Sequence, residues 1–262
     1  MKAVVFHGDR KLELMDFPDP SAGPGEVILE IKASGMCGSD LKFYRAVGGA
    51  TALGLGVQDG PIIAGHEPCG IVVEVGEGVE PAMAKIGDRV MDHHYSGCGV
   101  CKHCREGWSQ LCLDGITVYG ATGHGAHAKY MRVPAHTLIK LPDDLSFKTG
   151  AAISCGTGTA YGALKRLNLA GDETVVIFGQ GPVGLSGTQL AKAMGARVIA
   201  LDVSAERRAL AKNFGADEVL DPLNNDVISA IKDLTGGEGA HKSIRSPSSI
   251  RGDLHASVSA SV

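Results

Sequence analysis

The chain has 262 residues, enough for one large domain or two ordinary ones, each with a real core. Lys plus Arg number 25 and Asp plus Glu 29, a net charge of −4 with no basic stripe, which argues against a nucleic-acid partner. No apolar run reaches membrane-spanning length, and the opening Met1-Lys2-Ala3-Val4-Val5-Phe6-His7 is too short for a signal peptide, so a cytoplasmic chain without a membrane partner is expected.

From the start to about residue 150 the chain reads as short strands joined by Gly, Pro and Asp turns. Val27-Ile28-Leu29-Glu30-Ile31-Lys32 alternates in part, and Gly70-Ile71-Val72-Val73-Glu74-Val75-Gly76 is a second strand. Gly87-Asp88-Arg89-Val90-Met91 is a turn running into a strand, and the stretches 128–133 and 137–141 repeat the pattern. A compact, mostly β domain over 1–150 is expected. Phe43 to Pro61 is a Gly-rich insertion suited to a pocket rim.

Within this domain lies Cys98-Gly99-Val100-Cys101-Lys102-His103-Cys104, closed by Cys112: four of seven cysteines, spaced C-x2-C-x2-C-x7-C. Such short spacers turn successive thiolates back onto one point, as a closed tetrahedral zinc site requires. A disulfide cluster is the other reading, and the absence of a secretion signal favours metal in a reducing compartment. A closed four-thiolate site holds structure. Catalysis is thereby left to Cys37, Cys69 and Cys155 and to the histidines they meet.

From about Gly150 the period changes. Thr157 to Arg166 is a helix candidate, and Thr174-Val175-Val176-Ile177-Phe178 a buried strand. Gly179-Gln180-Gly181-Pro182-Val183-Gly184 follows, then a helix from Leu185 to Met194 and a strand Arg197-Val198-Ile199-Ala200-Leu201 ending at Asp202. Ser204 caps a further helix, Glu218-Val219-Leu220 is a third strand, and Asp226 to Leu234 a third helix. This alternation predicts a parallel sheet. A strand–Gly-x-Gly-x-x-Gly–helix unit followed by an acidic residue at the next strand end is the context of a dinucleotide fingerprint. Gly179 makes the tight turn, Gly181 lets a pyrophosphate approach, and Gly184 lets helix and strand pack closely. Asp202 can accept the ribose hydroxyls and repels a 2′-phosphate, which favours NAD over NADP. Arg207 either reaches the cofactor or is a solvated helix residue.

Three scattered pieces remain. Cys37-Gly38-Ser39-Asp40 follows a strand, Gly65-His66-Glu67 precedes one, and Cys155-Gly156-Thr157-Gly158 opens a helix. Two thiolates and an imidazole can hold zinc with its fourth position open, as a catalytic zinc needs. Cys69, between Pro68 and Gly70, reads as a buried structural thiol.

These elements, with Thr159-Ala160-Tyr161 after Cys155, occur in one order over residues 1 to about 240. Together they make the chain resemble the zinc-dependent medium-chain alcohol dehydrogenases, polyol and threonine dehydrogenases included. The resemblance implies a GroES-like β catalytic domain (1–150), a Rossmann cofactor domain (151–240) and an active site in the cleft between them. It implies two zincs per chain: a catalytic one on Cys37, His66 and Cys155, and a structural one on Cys98, Cys101, Cys104 and Cys112. Glu67 is similar to the family glutamate beside the metal. Ser39 matches the hydroxyl that takes the substrate proton, and Asp40 the carboxylate that orients His66. Gly179, Gly181, Pro182, Val183, Gly184 and Asp202 match the NAD contacts; Arg207 is a further candidate contact by position alone. The implied reaction is hydride transfer between NAD and a secondary alcohol/ketone pair, with polyol or L-threonine oxidation as the alternative. By family position His94 lines a pocket for a polar substrate; a surface pair with His93 is the competing reading. Lys42 stands where many relatives carry a relay histidine.

The resemblance stops near residue 240. His241 to Val262 holds seven serines in 22 residues and shows no periodicity, so an irregular tail is expected. A full Rossmann sheet has strand order 3-2-1-4-5-6. Without its fourth strand the first would be an open edge, and the chain reads as a truncated or frame-shifted dehydrogenase with weakened cofactor binding, or as a zinc-binding fragment. Full-length members of the family are expected to be homo-oligomers.

Overall fold

The computed structural model describes residues 1–48, 60–224 and 226–245. The chain forms two compact units, Met1–Cys155 and Gly156–Val262. The first contains strands β1 (Lys2–Gly8), β2 (Lys11–Asp16) and β3 (Glu26–Gly35), helix α1 (Gly38–Arg45), and strands β4 (Glu67–Val75), β5 (Arg89–Asp92) and β6 (Tyr95–Ser96). Helix α2 (Lys102–Arg105), strands β7 (Thr117–Val118), β8 (Tyr130–Pro134) and β9 (Leu138–Lys140), and helix α3 (Phe147–Ala152) complete it. Five of these strands form one antiparallel sheet in the order β8-β3-β4-β5-β9.

The register explains the core. Val27 and Leu29, two apart on β3, lie opposite Val133 and Met131 of β8, and Leu29 also opposes Val72 of β4. Residues two apart share a face, so these side chains gather on one side of the sheet. All five are buried, with Val90 and Ala126 beside them. Each fully buried Val, Leu or Met contributes about 1.5–3 kcal/mol. Cys69 packs with Met91, Leu141 and Ala151 in a second cluster. Burial raises its thiol to about 11, which fits the structural role expected of it.

The second unit runs α4 (Gly158–Arg166), β10 (Thr174–Phe178), α5 (Pro182–Ala193), β11 (Arg197–Leu201), α6 (Ala205–Asn213), β12 (Glu218–Leu220), α7 (Val227–Leu234) and β13 (Lys242–Arg245). Its sheet is parallel, in the order β12-β11-β10-β13. Strands β10 and β11 are almost wholly buried, which is why they read as continuous apolar runs. One cluster joins Val175, Ile177, Val198 and Ala200 to Leu164 and Ala191; the other joins Val176, Ile199 and Leu201 to Ile231.

One expectation is corrected here. Residues 242–245 are a strand, not part of an irregular tail, and β10 is paired on both sides: Val175 to Phe178 register with Lys242 to Arg245. The strand was hidden because a four-residue edge with a single aliphatic, Ile244, shows no alternation of apolar and polar residues; Ile244 packs against the Val175–Ile177 cluster. The rest of the Ser-rich stretch, and residues 49–59 of the Gly-rich insertion, lie outside the described residues. Among the described residues no helix is long and apolar enough to cross a membrane.

Candidate metal and dinucleotide sites

The first site is assembled at the ends of secondary structure. Strand β3 stops at Gly35, and Cys37 caps α1. Its backbone N–H donates to Asp40 Oδ2 at 2.8 Å, an interaction that closes the first turn of the helix. Asp40 is fully buried, and its other oxygen takes Nδ1 of His66 at 2.9 Å. That contact fixes the ring and leaves Nε2 toward Ser39, whose Oγ lies 3.2 Å away. Glu67 begins β4 opposite Gly35, where a Cβ would run into the Glu67 carboxylate as it is placed and force that side chain to move. Cys155 arrives on a π-helical turn, Ile153–Thr157, that joins α3 to α4.

The sequence thus scatters Cys37, His66, Glu67 and Cys155, and the fold brings one donor atom of each within 4.8 Å of all the others. Cys37 and Cys155 have sulfurs 4.0 Å apart. Two thiolates at about 2.3 Å from a tetrahedral zinc lie about 3.8 Å apart, whereas a disulfide needs about 2.05 Å. The spacing suits a metal. The electrostatics agree: hydrogen bonds from Cys155 and His66 pull the Cys37 thiol far below its ordinary value, so one thiolate is held ready. Burial opposes charge on His66, but Asp40 and Cys37 outweigh it and push the imidazole up to about 10. Burial and the Cys37 thiolate raise Glu67 to about 7.

The second donor set is Cys98, Cys101, Cys104 and Cys112, also mutually within 4.8 Å. Cys101 caps α2, and Cys112 follows a 3-10 turn, Ser109–Leu111. Backbone N–H groups of Cys98 and Cys101 point at the sulfurs of Cys112 and Cys98, both at 3.3 Å, and the Cys101 and Cys112 sulfurs are 3.9 Å apart. Amide donors from Leu113 and Cys104 lower Cys101 to about 6, while Asp114 pushes Cys98 up to about 12. None of the seven cysteines is in a disulfide. Both donor sets fit zinc.

Beside the first site lie residues the sequence flagged with less force. His94 is buried, its ring 4.9 Å from that of His66, with Nδ1 lacking a partner; burial lowers it to about 3. It is not a surface residue. Lys42 is exposed in the last turn of α1. Two features had no signal in the sequence: α1 itself, and the π turn that presents Cys155.

In the second unit the turn Gly179–Gly184 links β10 to α5. Gly179 has φ +86°, and a Cβ on Gly184 would strike the Gly179 carbonyl, so both glycines are required. Gly181 caps α5, Pro182 occupies its first turn, and Val183 follows. Asp202 ends β11. Its Oδ2 accepts from the Gln180 N–H at 2.7 Å and its Oδ1 from the Ser204 N–H at 2.8 Å. Arg207 lies 3.7 Å from the carboxylate, while Arg208 donates to the Asp202 carbonyl at 2.7 Å and pairs with Asp221 at 3.0 Å. Arg208 went unremarked in the sequence; it, rather than Arg207, anchors this strand end.

The fold, the two cysteine-rich donor sets and the glycine turn define a class, and comparison with known proteins agrees. Residues 23–143 match the family model for the alcohol dehydrogenase GroES-like domain, and residues 182–251 that for zinc-binding dehydrogenase. The chain is 41% identical over 221 residues to an uncharacterized zinc-type alcohol dehydrogenase-like protein, YphC, of Escherichia coli, covering 82% of this chain and 61% of that one. It is 38% identical over 261 residues to an alcohol dehydrogenase of Geobacillus stearothermophilus, covering 94% and 75%. The solved alcohol dehydrogenase TADH from Thermus sp. ATN1 superposes with a TM-score of 0.83 at 30% identity, over 94% of this chain and 70% of that one. The chain belongs to the zinc-dependent medium-chain alcohol dehydrogenase family, a family of oxidoreductases whose cofactors are zinc and NAD.

Proposed function

We propose that this chain carries the family reaction, hydride transfer between NAD and a secondary alcohol/ketone pair, with Cys37, His66 and Cys155 as the catalytic zinc ligands. The observation that carries the reading is the convergence of those three donors with Glu67 around one point, two of them buried and none in a disulfide. When bound, zinc would polarise the substrate oxygen and NAD would exchange the hydride.

The chain's own residues do the rest. Asp40 holds His66 by Nδ1, which directs Nε2 into the site and raises its basicity as a ligand. Ser39 stands beside that nitrogen and takes the substrate proton at Oγ. Lys42 is three residues further on the same helix face and exposed, where many relatives carry the relay histidine. Glu67 is a fourth donor within reach of the same point. Cys98, Cys101, Cys104 and Cys112 hold the structural zinc. His94, buried beside His66 with an unpartnered ring nitrogen, gives the substrate's second oxygen a partner, which favours diols or hydroxy acids over simple alkanols. The turn Gly179–Gly184 and Asp202 receive NAD.

The test is NADH formation by the purified, zinc-loaded chain over secondary alcohols, diols, polyols and threonine. Turnover is expected on at least one polar alcohol, with Ser39→Ala lowering kcat by about 10²-fold or more. A chain that holds two zincs and turns over none of them overturns the reading.

A further inference from the structure

We propose that Gln180, the first variable residue of the Gly-x-Gly-x-x-Gly turn, is a positioning residue for dinucleotide binding and that Thr188 is its partner. In a glycine turn of this kind the residue between the first two glycines is usually passed over, because only the glycines are demanded by geometry. Here its side chain turns inward and is fully buried. The Nε2 group donates to the Ile177 carbonyl at 3.1 Å, at the end of β10. The Oε1 atom accepts from Thr188 Oγ1 at 2.9 Å, from within α5, and Thr188 is also fully buried. The backbone N–H of the same residue donates to Asp202 Oδ2. One residue therefore ties together the strand before the turn, the helix after it and the acidic residue of the next strand.

The physical consequence is selection of one turn conformation. A buried carboxamide or hydroxyl is tolerated only when bonded. Any rearrangement of Gly179–Gly184 that carries Gln180 away takes from the buried Thr188 hydroxyl its Oε1 acceptor. A Cβ on Gly184 would lie 3.7 Å from the Gln180 amide nitrogen, so the network packs against the glycine that sets helix–strand approach. The turn is thereby held in one shape before any ligand arrives. Ligand affinity falls in proportion to the fraction of molecules in the competent shape.

This inference rests on the reading of the turn as the NAD site, so the experiment separates the two. Thr188→Val keeps the volume and removes the donor; Thr188→Ser restores it. Gln180→Leu removes both side-chain bonds. For each full-length variant, NAD+ affinity is measured by calorimetry, KM for NAD+ is compared with kcat, and hydrogen exchange of the hydrogen-bonded Gly179, Gln180 and Leu185 amides is followed without cofactor. Thr188→Val is expected to weaken NAD+ binding by about tenfold and to speed exchange at the turn by a similar factor, with kcat at saturating NAD+ preserved. Thr188→Ser is expected to stay within about twofold of the parent, and Gln180→Leu to exceed the valine loss. Unchanged affinity and exchange in Thr188→Val, or a serine variant as impaired as the valine one, overturns the positioning role. Failure of the parent chain to bind NAD+ overturns the cofactor reading, and the exchange comparison still decides whether the network holds the turn.

Discussion

Two buried aspartates in the first unit show how much a partner matters. Asp40 spends one oxygen on His66 and the other on the Cys37 amide. Asp40→Asn keeps the shape and loses the charge that orients and strengthens His66 as a ligand. Zinc affinity at the first site is expected to fall about 10–100-fold, read by competition with a chromogenic chelator while the four-cysteine zinc stays put. Asp92 is equally buried, but neither of its oxygens has a hydrogen-bond partner. Burial drives its carboxyl well above the usual range, and the nearby Thr137, whose hydroxyl is committed to the Pro134 carbonyl at 2.7 Å, offsets this only in part. The folded chain therefore holds a proton that the unfolded chain has released. That contribution to stability is full below an unfolded carboxyl pKa of about 3.9 and is lost as pH rises toward the folded value. Asp92→Asn has no such titration. The melting temperature of the variant relative to the parent is expected to rise as pH increases above the unfolded carboxyl value of about 3.9, and a constant difference would show that Asp92 is solvated.

At the scale of elements, legibility followed burial. Strands β10 and β11 are legible in the sequence with their observed bounds because buried parallel strands are near-continuous apolar runs closed by Gly or Asp, and the half-buried β12 is legible from its place in the alternation of strands and helices. Ser204 and Asp226 were read as helix starts, and both side chains accept amide hydrogen bonds there. The four-cysteine loop was plain because its donors are adjacent. Cys37, His66 and Cys155 are not plain from spacing; more than a hundred residues separate the first from the last, so their residue types make a shared zinc chemically possible and the resemblance to a family is what assigns them to it. Helix α1 escaped notice because only Asp40 is buried in it and its start depends on a hydrogen bond, not on an apolar stripe. Two substitutions probe the elements that were legible. Gly184→Ala places a methyl against the Gly179 carbonyl, and NAD+ binding is expected to drop by about 10²-fold or the second unit to lose stability by about 1–3 kcal/mol, seen by calorimetry and melting. Cys104→Ser is expected to cut zinc content from two ions to one and expose the stretch Cys98–Cys112 to limited proteolysis, with Cys37, His66 and Cys155 still holding theirs.

At the scale of the molecule there are two units with separate cores, and the two candidate metal sites found among the described residues belong to the first. Chelation should therefore lower the melting transition of Met1–Cys155 and leave that of the second unit in place; Ile244→Asp, which puts a charge against the Val175–Ile177 cluster, should do the reverse by about 2–4 kcal/mol. Differential scanning calorimetry of the two preparations checks both, and a single transition moving in each case would mean that the cores melt as one. The π turn at Ile153–Thr157 has a consequence of another kind. A π turn is an α-helix with one residue too many, and each helical residue turns the chain by about 100°. Cys155 lies inside that turn, so the surplus residue sets the phase at which its thiol meets its partners. Loss of the codon for Ile153 or Ser154 would leave every ligand encoded and would swing the Cys155 thiol by about 100° away from the others. Such a lesion would pass any inventory of site residues, and the damage would be visible only in the phase of the helix.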